Sequence, residues 1–540
     1  MRVLKLNTIL TVWLLITFFI IQSLSGAILR SESKTYHKEV KTTRGKTLYM
    51  DTNNADIEIT AHSSDLLSVD LELEISDIRA DLKEEFFSHT KLSVEPYQDG
   101  YRISLEMPDD KNYQSFFRKL FSGSQSLSYV ALFTIYLPEN YNLDLENRFG
   151  NIKISGLEGF IKIDNSSGEI NIAKSMGRLD LSNEFALVNV EDFTGDVFVK
   201  SSSAAVNVRS VKGSAKIASS FETIRTEDIK NELTINAQSA KVIVNRIGGE
   251  CFIETSFNPI KVNNVHGRLT IDGESCQIDV YQADSDVNIK SSFNDVTVEK
   301  VKGVLIINSA SAKLDVQHVE QRAELQSTFN PIIVSDVGSD LIINGESCTV
   351  KAVDINGNAF ITSSFNPVNV EKVKGKLTVE SSSAPVEVKE VGQNAEITTT
   401  FNPVIAEKIG GELNVDNASG SVTVLGSAGN ILITNSFNPV SIKQSEGSIK
   451  VKSQNAAVHI SAIKNLPSTA TIDVSTTFDR IEIELPQGTD AAIKAKTKFG
   501  KVESDYPVYL NSEKPIKNAE GKIQVKAETD NDIIIRSGSK

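Results

Sequence analysis

The residues best suited to chemistry in this chain are six histidines, three cysteines and its carboxylates. His37, His62, His89, His266, His318 and His459 fall in no metal-ligand spacing. Cys251, Cys276 and Cys348 join no histidine in a nucleophilic constellation. A Gly-rich phosphate loop and a nucleophile elbow are both absent from the sequence. Clustered acids beside a base could cleave a polysaccharide. Glu299, Glu371 and Glu407 share one column of the repeat described below, but the positions between them hold Gln317, Val353 and Lys389. That is a mixed, solvated face, and no catalytic, cofactor-binding or metal residue is expected. One segment, NYQSFFRKLFSGSQSL, sets Phe116, Phe117 and Phe121 around Arg118 and Lys119. It suits either a cap whose rings cover a terminal coil or an amphipathic contact with a membrane or partner.

Aromatic residues give the strongest signal. Phe149, Phe185, Phe221, Phe257, Phe293, Phe329, Phe365, Phe401 and Phe437 recur every 36 residues. Midway between them stand Ser167, Ser203, Ser239, Ser275, Ser311, Ser347, Ser383 and Ser419, then Asn455. Three residues after each comes Val, Ile or Leu, and five residues after usually Val or Ile, with a polar residue between. Two more apolar columns follow at twelve and fourteen, as at Leu377 and Val379. Such alternation is a strand with one buried face.

Strand, corner, strand, corner at an 18-residue period predicts an all-β fold. It is a single-stranded β-solenoid, or β-helix, whose packing unit is two coils, or 36 residues. Apolar residues do not recur at six, which points to a right-handed coil. Coils stack at roughly 4.7–4.9 Å. Gly at position ten of most coils is expected to supply the dihedrals of a sharp corner. Carrying the in–out parity of the second strand forward places the Phe/Ser column inside, with each ring spreading over the small residue of the next coil. The alternative is an outward aromatic track for a ligand. Cys251 falls in an apolar column, and Cys276 and Cys348 share a small-residue column with Ala240, Ala312 and Ala384, so all three are expected as buried, unpaired packing residues.

Residues 1–27 read as a signal peptide, with Arg2 and Lys5 before the apolar run Ile9–Ile21 and small residues at Ser25-Gly26-Ala27. An uncleaved N-terminal anchor is the alternative. Residues 28–148 are expected to hold N-terminal strands and a cap, including a short helix from Ser76 and a hairpin in KLSVEPYQDGYRISLEM. The solenoid repeats then span 149–503, and 504–540 supply C-terminal strands and a second cap. The formal charge is −14. Such acidity disfavours nucleic acid and broad adsorption to anionic lipid, leaving membrane contact to the N-terminus.

The stretch YVALFTIYLPENYNLDLENRFGNIKISGLEGFIKIDNSSGEINI, with Leu137-Pro138, Leu143, Leu145, Gly150, Ile152, Ile154, Gly159 and Gly168, resembles the bacterial putative-adhesin family of exported β-strand-repeat proteins. The resemblance implies a β-solenoid at the cell envelope, in the periplasm or at the cell surface, and brings no catalytic residues. The resulting expectation is a non-enzymatic adhesin-like or scaffolding surface, whose partner is a glycan, a protein or another copy of the chain. A self-assembling filament subunit and a polysaccharide-active β-helix enzyme are the alternatives.

Overall fold

The computed structural model describes residues 31–76, 80–108, 128–461, 463, 466–510 and 522–538. The expected targeting segment 1–27 and the cluster Phe116, Phe117, Arg118, Lys119 and Phe121 lie outside the described residues. The chain divides into two compact units, Met1–Gly213 and Ser214–Lys540.

The second unit is built from one motif. After Phe365, strand Val368–Val373 and strand Leu377–Ser381 complete a coil. Each strand pairs in parallel with its equivalent 18 residues away, Val368 with Val386 and Leu377 with Ala395. The β-solenoid fold is thus two parallel sheets joined at two corners. Val368, Val370, Val373, Leu377 and Val379 face the space between the sheets and are at most 2 % exposed. β-Branched side chains fit this pleated, half-buried surface, so one short strand per sheet per coil suffices.

The first strand of each coil is bent. Between buried Val370 and Val373 lie two outward residues, Glu371 and Lys372, and Lys372 is left-handed with φ 59°. The equivalent residue is left-handed throughout the regular unit-2 coils: Asp228, Arg246, Asn264, Gln282, Lys300, His318, Asp336, Asp354, Glu390, Lys408, Gly426 and Gln444. This left-handed kink, repeated in register on each of these coils, turns the strand so that the next apolar side chain points inward again.

Along unit 2 the glycines of the tenth-position column have a different cause from the one expected, whereas Gly177 and Gly195 of unit 1 do take positive φ, 119° and 126°. Gly375, Gly411 and Gly429 have no left-handed φ. A Cβ on Gly375 would lie 2.5 Å from the carbonyl oxygen of Gly357. Close stacking of coils, not dihedral freedom, excludes a side chain there. The neighbouring column satisfies the corner donors. Asp340 accepts the Asn358 amide at 2.7 Å, and Asn358 Oδ1 accepts the Lys376 amide at 2.9 Å.

Unit 1 opens with β1 Glu32–Lys41, β2 Thr47–Asn54, β3 Asp56–His62, β4 Leu66–Ser76, α1 Ala80–His89, β5 Lys91–Tyr97, β6 Gly100–Glu106, β7 Ser128–Pro138, β8 Asn142–Phe149 and β9 Ile152–Ser155. β1 runs antiparallel to β4 and β4 to β7, while β5 and β6 form the antiparallel hairpin. Strands β2 and β3 lie between β6 and β8 and between β7 and β9, all in parallel. One early coil is thereby inserted between two later ones. Helix α1 buries Phe86 and Phe87, whose rings meet edge to face at 6.0 Å.

Unit 2 ends with the mirror of that arrangement. Strands Thr471–Ser475 and Ile481–Leu485 flank Phe478, and Ala491–Lys496 and Val502–Ser504 flank Phe499. Strands Ile523–Glu528 and Ile533–Ser537 flank Asp530 and pair with both of those coils. The Asp530 coil is therefore interposed between the Phe478 and Phe499 coils.

Candidate functional site: an aromatic edge

The phenylalanine column faces solvent. From Phe221 to Phe437 the seven rings of unit 2 are 57–71 % exposed, and Phe149 and Phe185 in unit 1 are 56 and 61 % exposed. The expected interior ladder is corrected to an exterior one. The reason lies at the corner. Alternation holds through the second strand, where Leu377, Val379 and Ser381 are buried, and stops as the chain turns. The inward slot of the corner then belongs to the residue after the column: Ala240, Cys276, Ala312, Cys348 or Ala384 in the serine coils. That slot holds a methyl or thiol, not a ring. In the phenylalanine coils from Phe257 to Phe437 the same position is Asn, which folds back on the coil below. Asn258 Nδ2 donates to the Ser239 carbonyl at 2.8 Å and Asn294 Nδ2 to that of Ser275 at 2.5 Å. Asn330, Asn366, Asn402 and Asn438 repeat the bond to Ser311, Ser347, Ser383 and Ser419. Proline next to Asn costs the sheets nothing, because it lies in the corner where its carbonyl still accepts, as Pro367 does from Val350.

The edge is thus a row of rings on alternate coils, roughly 9.4–9.8 Å apart, with half-buried serines between them. Beside the rings from Phe257 to Phe437 stand Ser or Thr, Asn and, except at Asp295, Pro. Between Thr328 and Ala457 the four columns at this edge carry one charge, Glu346. Past Asn455 the sequence spacing breaks, and Phe478 and Phe499 stand only 21 positions apart. In space the order is Phe478, Asp530, Phe499, so rings still occupy every second coil. Both rings are exposed.

The remaining candidates separate into packing and surface pairing. All three cysteines are buried and unpaired as expected. Burial pushes the Cys251 thiol up to about 12 and the Cys276 thiol up to about 11, and raises that of Cys348. His266 and His318 each meet an aspartate one coil away, Asp284 and Asp336, at 2.6 Å. No cluster of His, Cys, Asp and Glu fit for a metal occurs among the described residues. Glu371, Lys389 and Glu407 are successive register partners, so a cation stands between the two acids. The left-handed residues at the opposite corner carry ion pairs from coil to coil, Asp228–Arg246 at 2.5 Å and Glu390–Lys408 at 2.8 Å. Lys408 lowers the pKa of Glu390 and is itself raised by it. A groove of about 760 Å³ runs over this corner from Asp336 to Glu446, floored by Gly392, Gly410 and Ala428. Within it Lys372 pairs with Asp354 and Lys408 with Glu390, whereas the rings at the aromatic edge are more than half exposed.

No protein-family model and no curated protein matches the chain. Among solved structures it is similar to a "putative cell adhesion protein" from Clostridium sporogenes, at 12 % identity over 41 % of this chain and 100 % of that one, with a TM-score of 0.18. A second is a "Putative lipid binding protein" from Parabacteroides distasonis, at 12 % identity over 78 % of this chain and 97 % of that one, with a TM-score of 0.13.

Proposed function

We propose that this protein is a non-enzymatic, exported scaffold of the cell envelope that presents its aromatic edge for adhesion. One observation carries the reading. Rings keep their two-coil spacing where the chain order is rearranged, at Phe478, Asp530 and Phe499. A place in the core cannot account for that, because each ring is more than half exposed. An exposed apolar row of this length marks an interaction surface. The targeting segment 1–27 and the resemblance to exported β-strand-repeat adhesins agree with it. Binding of the purified chain to envelope surfaces, immobilised glycans and surface proteins tests the reading. Replacing Phe329, Phe365 and Phe401 by Ser is expected to reduce capture at least about tenfold, since a few buried aromatic anchors dominate an interface. Unchanged capture by the triple variant would move the function away from this edge. N-terminal sequencing of the protein recovered from its source cells tests export, with cleavage after Ala27 expected.

A further inference from the structure

Resting on that reading, we propose that the aromatic edge of unit 2 is occupied by the same edge of a second copy, antiparallel, each ring seated over a serine of the partner. The spacing is self-complementary. Rings roughly 9.4–9.8 Å apart leave room for one more ring at about 4.7–4.9 Å from each neighbour. That lies within the 4.5–7 Å range of favourable aromatic pairs. A twofold axis along the stack would set ring against ring. A twofold axis across the stack leaves the phase free, so rings can seat in the gaps of the reversed partner.

Charge and polarity favour a copy over a glycan or peptide. The chain carries a net −14, yet Glu346 is the one charge on this edge between Thr328 and Ala457, and between Ser220 and Lys313 the acids Glu222, Glu274 and Asp295 are nearly balanced by Lys241 and Lys313. Two acidic molecules can therefore meet here without strong repulsion. The Asn amide nitrogens beside the rings are already donated to serine carbonyls, as at Asn258 and Asn294. Area is sufficient. Seven rings about 60 % exposed, at roughly 200 Å² each, bury roughly 800 Å² per copy, the size of a standard stable interface. Antiparallel copies anchored on facing cells would join those cells, which makes the adhesion homophilic.

Sedimentation velocity of the full chain, up to about 100 µM, tests the pairing. Wild type is expected to dimerise, and Phe329→Ser/Phe365→Ser/Phe401→Ser to be at least about tenfold weaker with unchanged circular dichroism and melting. Ser347→Phe/Ser383→Phe is the sharper variant. It fills the gaps and should also weaken pairing, whereas a merely sticky edge would pair more tightly with added rings. A donor at Ser239→Cys of one copy and an acceptor at Asn455→Cys of another should transfer energy more efficiently than two labels at Ser239→Cys. A wild type that stays monomeric, tighter pairing by the gap-filled variant, or the reverse transfer order overturns the proposal. A monomer that still needs its rings to bind an envelope surface would overturn the pairing alone and leave the adhesion reading standing.

Discussion

Phe365 is 64 % exposed, so truncating it removes little packing. Phe365→Ala is expected to cost less than about 0.5 kcal/mol, the usual range for a surface change, where a buried ring would cost about 3–5 kcal/mol. Hydrogen exchange should show unchanged protection in strands Val368–Val373 and Leu377–Ser381. The cysteines behave in the opposite way. Their thiols ionise in the unfolded chain near the ordinary value of 9.0 but only near 11 to 12 at Cys276 and Cys251 in the fold. The folded state then holds protons that the unfolded state has lost, so stability is full below about pH 9 and falls as pH rises through that window. Urea titrations between pH 8 and 10.5 should show this fall in wild type and a smaller one in Cys251→Ala/Cys276→Ala/Cys348→Ala. At this scale the sequence disclosed each column and the burial of the thiols. Which way the rings point was not legible, because parity counting requires an unbroken strand and Ser382–Pro385 is a corner.

Among the elements, the left-handed kink shapes every regular coil of unit 2 and the close glycine contact most of them. Gly375→Ala would drive a Cβ to 2.5 Å from the Gly357 carbonyl oxygen. The backbone must shift to relieve it, at a cost of about 1–3 kcal/mol. At Lys372 the left-handed φ costs a non-glycine residue roughly 1–2 kcal/mol. Lys372→Gly should therefore be neutral or stabilising, as Gly426 at the same position already suggests, while Lys372→Val should destabilise. Urea midpoints of the three variants decide both points. Strand positions were readable from Val, Ile and Leu columns. The left-handed kink was not, because Asp, Lys, Arg, Glu and His fill its position and give no glycine signal.

For unit 2 as a whole, the repeat can be shortened in two ways that differ only at the edge. Deleting 347–382 removes 36 residues, two coils, and keeps a ring on every second coil. Deleting 347–364 removes 18 residues and sets the Phe329 and Phe365 rings one coil apart, at roughly 4.7–4.9 Å. Both should fold, since each coil contacts only its neighbours. Sedimentation should show that the first deletion still pairs and the second pairs poorly. The regular coils were readable from their period, whereas the interposed Asp530 coil was not, because its place depends on pairing between segments distant in the chain. That coil has a mechanical consequence. A pull at Ser537 on an ordinary last coil would peel one ladder, bond by bond. Here Ile533–Ser537 is held on both sides, by Ile481–Leu485 and by Val502–Ser504. Each residue drawn off must break bonds to two neighbours instead of one, so this strand resists unravelling more than a singly paired last strand would.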